Sequence, residues 1–154
     1  IQYSTRRARP VVGDVGLTPV GWHRTLERYG APQLNERYQS FDEENSLPAS
    51  EAMSDEEFAA WSAVKLITNS LGTIDAISET LDPREILAHP DTQVDLYKGT
   101  RGSIRRWNNQ LRQPILLATS DAVVAVAPMP KFLHPKHYVD TLGLDEPESR
   151  CNLK

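Results

Sequence analysis

Cysteine is almost missing from this chain: its 154 residues include one, Cys151, near the C-terminus. A lone thiol cannot close an internal disulfide, which points to a reducing compartment. Long apolar runs are missing too. The stretches 115–117 and 122–127 are separated by Thr119, Ser120 and Asp121, far short of the roughly 20 residues that span a bilayer. Positive charge is in the minority, with 17 Lys and Arg against 21 Asp and Glu and a net charge of -4. This argues against a general nucleic-acid coat, because phosphate affinity comes from many neutralising cations. Aromatic residues make up only 7% and hydrophobic residues 39%, so part of the chain adds little to a core.

Catalytic and metal signatures are missing as well. The histidines are His23, His89, His134 and His137. His134 and His137 come near ligand spacing, but Pro135 intervenes and no third donor lies close, whereas zinc gathers three or four. Lys98-Gly99-Thr100-Arg101-Gly102-Ser103 has the residue types of a phosphate loop without its spaced glycines. Cys151 sits in a polar tail without a neighbouring base. No cofactor, metal or catalytic residue is therefore assigned. The nearest acid-base pairings, His23 with Glu27 or His134 with His137, leave no evident place for a substrate.

What is present points to a mainly α protein: a small helical domain around one long amphipathic helix, with an extended N-terminal arm and an irregular C-terminal tail. Residues 54–81 carry the clearest signal. Ser54 followed by Glu57 is a capping box, and Asp55, Glu56 and Glu57 suit the positive end of a helix dipole. Phe58, Trp61, Val64, Ile67, Leu71, Ile74, Ile77 and Leu81 form one apolar stripe at spacings of three and four. Gly72 marks the expected closest helix crossing. Thr18-Pro19 starts a short helix over 19–29 that Gly30 ends. Residues 31–53 read as an extended arm carrying separate apolar anchors. Asp82-Pro83 caps a short helix with Ile86 and Leu87. A hairpin is the first reading of 115–127 and a buried helix the second. His137 to Leu142 forms a turn or two before Gly143. The organisation is thus an arm over 1–53, a helical domain over 54–142 and a tail over 143–154.

The chain opens on Ile1, with Arg6, Arg7 and Arg9 ahead of the first acid, Asp14. A solvated basic tail and a cleaved mitochondrial targeting start are both compatible with it. The profile suggests a non-catalytic accessory subunit of a large assembly, of mitochondrial or virion type. Its partners are other protein subunits, met through Trp22, Tyr38, Phe41, Phe58 and Trp61. The alternative is a nucleic-acid module of helix-turn-helix kind. In that reading a short helix over 91–98 and a basic helix over 101–112 present Arg101, Arg105, Arg106, Asn109 and Arg112 to the major groove.

Overall fold

A computed structural model describes residues 16–48, 52–74 and 82–151. Arg6, Arg7, Arg9, Ile77 and Leu81 lie outside the described residues. The chain is not mainly α. Among the described residues helix makes up 39% and strand 17%, and the strands form two three-stranded antiparallel sheets.

The first sheet has the order β1 (Thr18–Val20), β5 (Ile115–Ala118), β6 (Val123–Ala127). The 115–127 segment is the hairpin its β-branched runs suggested, with Leu116 opposite Val126. At its turn the Thr119 hydroxyl accepts from the backbone N–H of Asp121 and Ala122. The helix expected over 19–29 does not form. Pro19 lies instead on an edge strand opposite Leu117, where a missing N–H costs no ladder bond. Residues beyond it run through turns that bury Trp22 and Leu26. Strand pairing and burial thus override a start signal that was local only.

The second sheet has the order β2 (Val94–Asp95), β3 (Arg101–Ile104), β4 (Leu111–Arg112). It occupies the span expected as two helices over 91–98 and 101–112. Thr92, Val94, Leu96 and Lys98 are all buried while Gln93 and Asp95 are exposed, a strand period of two. At β3, a Cβ on Gly102 would stand 2.6 Å from Leu96 Cδ1 and 3.2 Å from the Arg112 carbonyl. A side chain there would push the strands apart.

The expected extended arm is largely α1 (Ala31–Glu44). Leu34, Tyr38 and Phe41 follow one another at four and three residues, a helix face that the polar residues between them obscure. Gly30 enters the helix in the left-handed region, at φ 80°, which suits glycine. In place of a fold built around one long helix over 55–81 there are several helices, of which α2 (Asp55–Ile74) covers the described part of that span. Its capping box is closed: Ser54 N donates to Glu57 Oε2 at 2.7 Å and Glu57 N to Ser54 Oγ at 3.2 Å. Next, α3 (Pro83–Leu87) starts as expected, with the Asp82 side chain accepting from Arg84 N. A 3-10 turn over Tyr138–Leu142 lies where a turn or two was expected.

The buried face of α2 is Phe58, Ser62, Leu66 and Ser70, four residues apart. Both buried hydroxyls donate to their own helix, Ser62 Oγ to Phe58 O and Ser70 Oγ to Ile67 O, each at 2.7 Å, which satisfies them without another element. The largest fully buried side chains are Trp22, Phe58, Leu96 and Leu116. Trp22 and Phe58 stack at 4.5 Å. Gly72 is no crossing point, since a Cβ there meets nothing within 4 Å.

Candidate functional site

Five side chains were expected to meet partners, and the structure divides them. Trp22 and Phe58 are 2% and 1% exposed and form the centre of the core. Tyr38, Phe41 and Trp61 line one open cleft of about 450 Å³ between α1 and α2. Its other walls come from Leu34, Met53 and Tyr97, with Arg37, Glu57 and Lys65 also lining it. An apolar concavity of several hundred Å³ with few polar groups is the usual form of a binding site.

Local structure sets each of these groups. Tyr38 and Phe41 lie on successive turns of α1 and Phe41 is 54% exposed. An aromatic series runs outward from the core: Trp22 on Phe58, Phe58 to Trp61 at 5.6 Å, and Trp61 to Tyr97 at 6.0 Å. Tyr97 is held at φ 55°, with its N–H donating to Asp95 Oδ1 at 2.8 Å. Lys65 Nζ lies 4.6 Å from the Trp61 ring centre and 4.8 Å from that of Tyr97, a cation-π geometry. Hydrogen bonds from the Tyr38 hydroxyl and from Ser54 hold the Glu57 carboxyl below its ordinary range. Glu57 thus keeps its charge, and it lines the cleft together with Tyr38. With Arg37 and Lys65 against Glu57, the charged residues of the lining sum to one positive charge.

The basic residues expected on a recognition helix are scattered. Arg105 and Arg112 both donate through Nε to Asp140 Oδ1, at 2.7 and 2.8 Å. Arg105 also donates to Val139 O and Gln110 Oε1, and Arg112 to Ile104 O. Burial pushes the Asp140 carboxyl up, but the hydrogen bonds and charges of Arg112 and Arg105 outweigh it and hold the group ionised below its ordinary range. These two arginines tie β3 and β4 to the C-terminal segment and are not presented to a phosphate. Arg101, Arg106 and Asn109 are exposed, on a strand and the following turn instead of one helix face.

Lys98 has an unexpected place. It is 3% exposed, and Nζ donates to Gln113 Oε1 at 2.6 Å and to Pro114 O at 3.2 Å. It lies 4.7 Å from the Phe58 ring centre. Burial lowers its pKa from 10.5 to about 7, opposed by the nearby Asp55 carboxylate. Asp55 itself accepts from Gly21 N at 2.6 Å and Trp22 N at 3.0 Å, joining α2 to the segment after β1.

A second cleft of about 420 Å³ separates α2 from Ile104, Leu111, Ile115 and Val139. Its one guanidinium, Arg105, is the one committed to Asp140. The histidines do not converge on a substrate position: His134 Nε2 meets Asp145 Oδ2 at 3.0 Å, and His23 Nδ1 meets Thr25 Oγ1. Among the described residues there is no group of three or more His, Cys, Asp or Glu placed to hold a metal ion, and no helix long and apolar enough to cross a membrane. Comparison with protein-family models, with curated proteins and with solved structures returned no match.

The sequence signal for Lys98 was the alternation through Thr92, Val94 and Leu96, which predicts an inward side chain two residues on. Asp140 carried no such signal, because its partners lie 35 and 28 residues away.

Proposed function

We propose that this chain is a non-catalytic binding subunit of a larger protein assembly, and that the α1–α2 cleft takes an apolar side chain, with a carboxylate beside it, from a partner protein. One observation carries the reading: Tyr38, Phe41, Trp61 and Tyr97 gather in a single open cleft whose charged residues, Arg37, Lys65 and Glu57, leave one net positive charge. Aromatic residues and Arg are favoured at protein interfaces, and binding energy concentrates where such anchors cluster. The cations favour an acidic neighbour on the incoming segment and disfavour a basic one. The inward engagement of Arg105 and Arg112 weighs against the nucleic-acid alternative, which needs them free.

The test is selection from a random peptide library displayed on phage, against the full chain and against Trp61→Ala. The expected outcome is enrichment of peptides with an aromatic or large aliphatic residue within a few positions of Asp or Glu. Synthetic versions should change tryptophan fluorescence and bind at least tenfold more weakly to Trp61→Ala, a loss of about 1.4 kcal/mol or more. Peptides that bind Trp61→Ala equally well, or no enrichment, would refute the assignment.

A further inference from the structure

The chain beyond β6 falls into two parts of different character. Residues 134–145 brace themselves. His134 Nε2 meets Asp145 Oδ2 at 3.0 Å, His134 N donates to Tyr138 O at 3.3 Å and Asp140 N to His137 O at 2.7 Å. These bonds lie within the unit and travel with it. Residues 129–133, between β6 and this unit, bond only among themselves among the described residues, as Phe132 N does to Met129 O at 2.8 Å. They form a hinge, and Pro128 and Pro130 resist its tight reversal.

The unit docks in one socket on β3, β4 and their turn. Asp140 enters between the Arg105 and Arg112 guanidinium groups. Arg105 Nη2 donates to Val139 O at 3.0 Å and Trp107 Nε1 to Leu144 O at 3.1 Å. Val139 and Asp140 are 3% and 4% exposed. A Cβ on Gly143 would collide with the Arg105 guanidinium. The socket therefore demands a carboxylate facing two cations, and three residues later a position with no side chain. That pattern, Asp140 followed by Gly143, is carried by every copy of this chain.

The hinge supplies a second observation. Met129, Phe132 and Leu133 are 46%, 64% and 48% exposed. One exposed apolar residue is ordinary, but three within five positions form a patch that marks a contact surface. Exchange of the unit between two copies would keep every bond between unit and socket, because the second copy's socket is identical. It would give up the tether, which holds the unit at an effective concentration of about 1 mM. In return the two hinges cross at the two-fold axis, where their apolar side chains can leave water together.

We infer that this chain forms a dimer by exchanging residues 134–145, so that Asp140 of each copy enters the Arg105–Arg112 socket of the other and the exposed hinges pack together at the two-fold axis. The dissociation constant should lie below the tether's effective concentration of about 1 mM. The cleft between α1 and α2 takes no residue from the hinge or the unit, so the peptide experiment and the dimer experiment fail independently.

The full chain, refolded from denaturant at about 10 μM to 1 mM so that units can redistribute, tests the inference by sedimentation. The average mass should rise from the 17.3 kDa monomer toward twice that value. Phe132→Ser combined with Leu133→Ser should weaken the dimer by about tenfold or more, with unchanged far-ultraviolet circular dichroism. Exchange itself is read by isotope-filtered nuclear magnetic resonance on labelled and unlabelled chains refolded together. The labelled Trp107 indole N–H should show cross-relaxation to Leu144 of the unlabelled chain. A chain that stays monomeric, a dimer indifferent to the hinge substitutions, or a dimer whose Trp107–Leu144 contact stays within one chain would overturn the inference.

Discussion

Lys98 makes the stability of this protein depend on pH in an unusual direction. In the folded state burial lowers its pKa to about 7, against an ordinary 10.5 in the unfolded chain. Below pH 7 both states hold the proton, and the full cost of a buried ammonium is present. Between the two values the unfolded chain keeps a proton that the folded chain has released, so stability rises with pH. The whole difference of about 3.5 pH units, at 1.36 kcal/mol each, amounts to roughly 5 kcal/mol. Between pH 7 and pH 9 the gain is about 2 kcal/mol, which should move a urea midpoint upward by about 1 M. Lys98→Met fills similar space without a proton to release. Its midpoint should be flat over the same interval, and it should be the more stable form at pH 7 even though Pro114 O loses its donor at a cost of about 1–3 kcal/mol. Urea unfolding followed by tryptophan fluorescence at pH 7, 8 and 9 reads both forms. A flat wild-type profile, or an equal slope in Lys98→Met, would refute the reasoning.

Asp140→Ala should cost about 3–5 kcal/mol at neutral pH, because it leaves Arg105 buried without its carboxylate; chemical denaturation measures it. The same carboxyl is held below its ordinary 3.8, so its contribution is present above that pH and is lost as pH falls through the lower folded value. Ser54→Ala should lower stability by about 1 kcal/mol, since it opens the capping box at α2, and the denaturant midpoint should show it. Two glycines should respond oppositely in the same assay: Gly102→Ala should destabilise by about 1–3 kcal/mol through its clash with Leu96 and the Arg112 carbonyl. Gly72→Ala, in open space on a helix, should stabilise by up to about 1 kcal/mol.

What the sequence made legible was local. The Ser54–Glu57 box, the Asp82 cap and the 115–127 hairpin each depend on residues a few positions apart. What it hid was pairing over distance. Thr18-Pro19 has the residues of a helix start, yet its conformation is decided by β5, about a hundred residues later. Arg105 and Arg112 look like a recognition face until Asp140 arrives from the far end of the chain. Of the residues expected to meet partners, Tyr38, Phe41 and Trp61 line one cleft, although α1 was missed. Trp22 and Phe58 were lost to each other, because a large aromatic residue looks the same in a sequence whether it serves a core or a surface.

The long helix shows why one stripe was not enough. Spacings of mostly three fall short of the 3.6-residue turn, so an apolar row built on them winds around the helix instead of staying on one side. Phe58 therefore points into the core while Ile67 and Leu71, on the same nominal row, point out. The face that is buried contains two serines, Ser62 and Ser70, at 2% and 4% exposure, each satisfied within the helix. A helix serving only its own domain gains by placing apolar residues inward and hydroxyls outward. Here hydroxyls sit inside and Val64, Ile67 and Leu71 outside. Exchanging them would bury more apolar surface among the described residues, so the period of the stripe, and not its apolar content, decides which of its members reach the core.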